Sequence, residues 1–271
     1  MTDGAERPSS AEKKKQAETR GNLAESLVIA FSMYSRIPMP TIEWSDAGMR
    51  YALCFFPLIG VVIGAAETFF CAVHVRAAFG TVAYACIGTA IPLIITGGIH
   101  MDGFLDTVDA RSSFAERERK LEILKDAHTG AFAVIGGCVY LLLYAAAFSE
   151  LGADAFPAIG GIHVMARAFS GLSVTLLPKA RKDGLASTFA THAGVRAVHA
   201  AMGVWILVSF CFLYRCTAPF VALAILAAVL LVFAWYARMA MREFGGMTGD
   251  LAGFFLQVAE LVMVAVLAVC R

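Results

Sequence analysis

Seven stretches of this chain, near residues 51–73, 77–97, 130–150, 156–178, 196–214, 217–237 and 250–270, run apolar for some twenty residues each. A helix needs about twenty residues to cross roughly 30 Å of hydrocarbon, so each run is long enough to span a bilayer. None alternates with a period of two, which excludes a β-barrel. The chain as a whole agrees: 59% of its 271 residues are hydrophobic, 16% are charged and the mean hydropathy is +0.72. No water-facing surface accommodates that balance. The expected fold class is all-α, a polytopic transmembrane helix bundle of about seven spans.

One shorter run, "LAESLVIAFSMYS" at 23–35, falls short of a span and reads as an interfacial or re-entrant helix, its depth left open. Residues 1–22 are polar, contain "EKKKQAETR" and lack an apolar signal-peptide core; they are expected to form a disordered cytoplasmic tail. Residues 23–271 then form a single membrane-embedded domain. Gly60 with Gly64, Gly136 with Gly137 and Gly160 with Gly161 supply small residues for close helix packing, and Pro57, Pro92 and Pro157 kink or start helices. Seven cysteines lie in or beside apolar runs without CxxC spacing, which argues against a zinc or redox site. A net charge of +1, with no basic stripe interleaved with aromatics, gives no footprint for nucleic acid.

Charge decides orientation. All 22 Lys and Arg except Arg76, Arg167, Arg215 and Arg271 fall in 1–50, 98–129, 179–196 and 238–249, and the positive-inside rule places those segments in the cytoplasm. The same segments carry "GGIHMDGFLDTVDA" (97–110), "KDAHTGAFA" (125–133), "RKDGLASTF" (181–189) and "GGMTGDLAG" (245–253). Polar motifs distant in sequence therefore meet on one membrane face, as a functional site requires.

In the first motif Asp102, Asp106 and Asp109 stand at i, i+4 and i+7, within about 60° of arc on a helix. Three adjacent carboxylates repel unless a cation neutralises them, some are protonated, or Lys and Arg interleave. Oxygen ligands suit Mg²⁺ or Mn²⁺, with substrate phosphate oxygens completing the shell. His100 reads equally as a base, a metal ligand, a phosphate donor or a structural hydrogen-bonder. The segment "FAERERKLEILKD" reads as an interfacial amphipathic helix with a Glu116–Lys120 pair. At its end Glu122 and Asp126 share a face beside Lys125, offering a further carboxylate and a phosphate-binding ammonium. Gly130 opens the next span, where backbone N–H groups can approach phosphate. Thr248 reads as a hydrogen-bonder and Asp250 as the N-cap of the last span. Arg167 lies inside a span and needs a partner; Glu260 is the candidate. These residues describe a metal-dependent phosphate-ester enzyme, with an ion-coupled transporter as the alternative class.

"GGIHMDGFLDTVDA", "RERKLEILKDAHTGAFAV", "KDGLASTF" and "GGMTGD…E", in this order, with "YSRIPMP" at 34–40 and "FFPLIGVVIG" at 55–64, resemble the cobalamin synthase family, the adenosylcobinamide-GDP ribazoletransferases. The resemblance covers roughly residues 23–270. It implies an inner-membrane enzyme of cobamide assembly that joins adenosylcobinamide-GDP to α-ribazole or its 5′-phosphate, releases GMP and needs Mg²⁺. The CDP-alcohol phosphotransferases are similar in general style. Asp102, Asp106, Asp109 and His100 match the family's acidic motif, Lys125 and Asp126 its basic–acidic pair, and Gly130, Gly184, Gly245, Gly246, Thr248, Gly249, Asp250 and Glu260 its remaining positions. The expected roles are metal binding for Asp102 and Asp106, catalysis for Asp109, Asp126 and His100, and substrate binding for Lys125, His128, Gly130, Arg167, Thr248 and Asp250. Ala110, Ala127, His128 and Gln257 depart from the family's usual glycine, serine, arginine and glutamate. The resemblance does not fix the state of any oligomer.

Overall fold

The computed structural model describes residues 22–77, 79–152, 155–181, 191 and 193–270. The expected tail therefore lies outside the described residues except for Asn22, as do Gly184 and most of "RKDGLASTF". Ten α-helices and one π-helical turn make up the described chain, with no β-strand among the described residues. They are α1 Leu23–Tyr34, α2 Asp46–Ala77, α3 Thr81–Thr96, α4 Ile99–Ser112, α5 Arg117–Ile123, α6 Ala131–Ser149, α7 Phe156–Leu176, α8 Val195–Cys216, α9 Pro219–Met239, the π turn Ala240–Phe244 and α10 Gly249–Cys270.

Among the described residues six elements are long and apolar enough to cross a membrane unaided: α2, α6, α7, α8, α9 with its π turn, and α10. The seventh expected run corresponds to a broken pair, α3 and α4, bent by 99°. The break is local in origin: Gly97 and Gly98 adopt φ of +65° and +77°, backbone that only glycine enters cheaply. α3 carries most of the apolar 77–97 run, and α4, beyond the break, carries three aspartates, His100 and Arg111. α1 is 12 residues long, about 18 Å, too short to cross. Asn22 caps it by accepting from the Glu25 N–H, and Ser26 donates to the Gly48 carbonyl, pinning it on the start of α2.

α7 is the central helix, packed against α2, α8 and α10. Glycine permits its contact with α2: a Cβ at Gly64 would collide with the Gly160 Cα, and one at Gly60 with the His163 carbonyl. Close approach matters because the lipid tails around these helices are as apolar as their side chains, which leaves packing to hold the bundle. Pro157 starts α7, while Pro57 and Pro92 sit inside α2 and α3.

Arg167 meets Glu260 at 2.6 Å, as the sequence suggested, but within a larger cluster. His163, one turn before Arg167, bonds Glu260 through Nδ1 at 2.8 Å and Glu67 of α2 through Nε2 at 2.9 Å. All four side chains are at most 1% exposed. The cluster ties α2, α7 and α10 together, and each of its side chains has a polar partner inside the protein, the condition on which a membrane interior tolerates such groups.

Candidate active site

Glycine also builds the site. A Cβ at Gly103 would strike the backbone of Asp250, and one at Gly253 would press on the backbone of His100. α4 and α10 therefore cross almost backbone to backbone, and α10 carries Asp250 up to the three aspartates of α4. Burial and the neighbouring Asp102, Asp250 and Asp109 push the Asp106 carboxyl up to about 6. The approach of four carboxylates is visible in that shift.

Asp250 is held from its far side. Arg181 donates to its Oδ2 at 2.8 Å and Thr248 at 3.3 Å. The N-cap of α10 is Thr248, whose Oγ1 accepts from the Leu251 N–H at 3.2 Å; Asp250, expected as the cap, stands in the first turn and faces Arg181 instead. The reason is positional: the cap must precede the first helical residue, and the helix begins at Gly249. The preceding turn is fixed by Gly245 and Gly246, with φ of +78° and +155°, and by backbone bonds from Met247 to Pro178 and from Ala180 to Met247. Those bonds set Lys179 and Arg181 beside Asp250.

Gly130 is the N-terminal flank of α6, and a Cβ there would overlap the carboxylate of Asp109. The start of a 19-residue helix thus faces a carboxylate, a favourable dipole arrangement. Lys125, Asp126 and His128 lie on the exposed loop that leads to it. The His128 N–H (3.0 Å) and imidazole (2.7 Å) bond Asp126 and hold its carboxyl below the usual range. The helix before this loop is shorter than expected, ending at Ile123, so Glu122 and Asp126 do not share its face. Glu122 pairs with Arg119, and Lys120 with Glu243 instead of Glu116. Glu243, on the π turn, also takes Arg111 at 3.1 Å. That node anchors α4 and α5 to α9, and no local spacing in the sequence announced it.

His100 is 5% exposed, beside the rings of Tyr34 and Phe56 at centroid distances of 5.9 and 5.4 Å. Burial, with Arg167 adding to it, draws its pKa down to about 3, so the imidazole is neutral. Neither ring nitrogen has a hydrogen-bond partner among the described residues. It lines a cavity of about 350 Å³ together with Asp102, Thr248 and Asp250. Arg167 is not in that lining: its guanidinium bonds Glu260 and the His163 carbonyl. Gln257 is likewise buried and accepts from the Tyr140 hydroxyl, a neutral bond. Among the described residues no three His, Cys, Asp or Glu side chains form a ready-made metal cage.

Residues 26–268 match the model of the cobalamin-5-phosphate synthase family (CobS). A curated relative from Lachnoclostridium phytofermentans, named adenosylcobinamide-GDP ribazoletransferase, is 44% identical over 88% of this chain and 90% of its own. Relatives of the same name from Bradyrhizobium diazoefficiens (33% identical, 93% of this chain and 96% of the relative) and Clostridium botulinum (30%, 89% and 96%) match as widely. No solved structure matches. With an all-α membrane bundle and a carboxylate site at one end of it, the chain belongs to the cobalamin-5-phosphate synthase family, transferases of cobamide synthesis.

Proposed function

We propose that this chain transfers the adenosylcobinamide-phosphate group of adenosylcobinamide-GDP to α-ribazole or α-ribazole 5′-phosphate, releasing GMP. It does so at the cytoplasmic face of the inner membrane and with Mg²⁺, for which Mn²⁺ can substitute. The observation that carries the reading is the gathering of Asp102, Asp106, Asp109 and Asp250 from α4 and α10 at one end of the bundle. The substrates follow from the relatives' shared name and from the resemblance of the motifs.

The residues fit a hard divalent cation in charge and donor type. Their ligands are carboxylate oxygens, and burial together with their mutual repulsion raises Asp106. They fit it incompletely in number, which suits an ion whose shell is finished by substrate phosphates. Asp102 and Asp106 would hold it. When bound, the ion supplies charge neutralisation for the phosphoanhydride. Asp109, at the α6 N-terminus, receives the proton of the attacking ribose hydroxyl. The new P–O bond forms to the corrinoid-side phosphorus as the bond to GMP breaks, and the leaving charge resides on GMP. Lys179 and Arg181, in the cavity lining with Asp250, would meet phosphate charge, as would Lys125 from the loop before α6.

The test is turnover by the purified protein in detergent with adenosylcobinamide-GDP, α-ribazole 5′-phosphate and Mg²⁺. The expected result is stoichiometric cobamide phosphate and GMP. No product and no binding of either substrate would overturn the assignment. Gradient-dependent accumulation in sealed vesicles, without turnover in detergent, would instead support the transporter class.

A further inference from the structure

The cavity beside the carboxylates has two chemical ends. Its inner wall is aromatic and apolar: Tyr34 and Phe56 lie 4.4 Å apart by ring centroid, and His100 is beside both. Its other end is charged. Asp102 and Asp250 belong to the carboxylate group, and Lys179 and Arg181 are the cations of the lining. Lys179 donates to Thr191 at 2.8 Å, and Arg181 to Asp250.

Volume limits the occupant. About 350 Å³ lies at the small end of the roughly 300–1,000 Å³ typical of ligand sites. A nucleoside fits in such a space; a corrin macrocycle does not. His100 limits the chemistry. Both ring nitrogens of a buried imidazole call for hydrogen-bond partners, and burying them without any is unfavourable. Both ring nitrogens of His100 are in that state, in the wall of a cavity lined largely by carbon.

We infer that this cavity is the acceptor subsite, seating a flat nitrogen heterocycle carried on a ribose, and that His100 is the residue that reads the base. The base lies among Tyr34, Phe56 and His100, its free ring nitrogen paired with the imidazole. The ribose then extends toward Asp102 and Asp250, placing its hydroxyl at the carboxylate group, and a 5′-phosphate reaches Lys179 and Arg181. His100 is thus a specificity-determining residue and not a proton carrier. The placement rests on the reaction proposed above, with α-ribazole as acceptor.

The experiment compares α-ribazole with an indole riboside that has carbon in place of the free ring nitrogen, using the full chain in detergent. The wild type is expected to favour α-ribazole about 10- to 100-fold in kcat/KM, and His100→Phe to narrow that preference to about twofold. In that variant KM for α-ribazole rises while KM for adenosylcobinamide-GDP holds. Val174→Trp, which fills the cavity from another residue of its lining, raises the acceptor KM alone and covers the case of a His100 variant that does not fold. Lys179→Gln lowers the preference for the 5′-phosphate. Unchanged discrimination in His100→Phe, or parallel rises in both KM values, overturns the subsite while leaving the reaction standing. A wild type that neither turns over nor binds α-ribazole by calorimetry overturns both.

Discussion

Two groups of ionisable side chains lie in this molecule, and they are built on opposite rules. In the span interior Glu67, His163, Arg167 and Glu260 pair with one another and are sealed from solvent. At the bundle end Asp102, Asp106, Asp109 and Asp250 face like charge, and among the described residues only Asp250 of the four pairs with a cation, Arg181. A matched cluster in low dielectric is a fastener: removing one member strands the others. An unmatched one at a water-accessible edge costs stability, which something bound must offset. The first therefore belongs to folding and the second to function.

The largest effect that separates them is on turnover. Asp106→Asn is expected to cut kcat by on the order of 10³-fold. Its melting temperature in metal-free buffer should hold or rise, because a repulsive charge is gone; near-normal turnover removes Asp106 from the site. Glu260→Ala should behave in the opposite manner, losing about 3–5 kcal/mol of stability by stranding Arg167 and His163. Thermal melting in detergent checks this, and a melt like that of the wild type would dissolve the distinction between the two groups.

Gly253→Val asks whether helix crossing makes the carboxylate group. Side-chain bulk at this contact should cost about 1–3 kcal/mol and reduce turnover with all four aspartates intact. Full activity would mean the crossing does not position Asp250.

Acidity gives a smaller, graded test. The folded-state pKa of Asp106, about 6, lies above its ordinary 3.8. Without a cation, stability should therefore rise as pH falls through 6 toward 3.8 and be fully gained below that value. The Mg²⁺ needed for half-maximal rate should rise over the same window, by up to about tenfold per unit, since proton and cation compete. Titrations at pH 5 and pH 7 measure both. The smallest effect is expected at Arg119, whose pair with Glu122 at 2.8 Å has side chains 67% and 66% exposed. Arg119→Ala should change stability by under about 0.5 kcal/mol.

How much of this was legible in the sequence follows from the range of each interaction. Continuous apolar runs fix span number because the thickness of the hydrocarbon sets a length. The spacing of Asp102, Asp106 and Asp109 fixes a shared face because α4 is helical over all three. Arg167 in a span demanded a carboxylate, and Glu260 was the acid available in the last span. His163, one turn from Arg167, and Glu67, an acid inside the 51–73 run, were within reach of the same reasoning, but no spacing says that the two meet. The Gly103–Gly253 contact was hidden for a related reason: each glycine has many readings alone and one only when the helices cross.

The sequence by itself determined a helical membrane bundle, the gathering of its polar motifs toward one end and three carboxylates on one face. These depend on hydrophobic length and helical period, which act between near neighbours. Only the tertiary structure decided that Asp250 joins those carboxylates, that Arg167 is spent inside the bundle and that His100 borders a nucleoside-sized cavity. Each of those rests on backbones brought into contact from distant parts of the chain, and no spacing along a single helix encodes which two faces will meet.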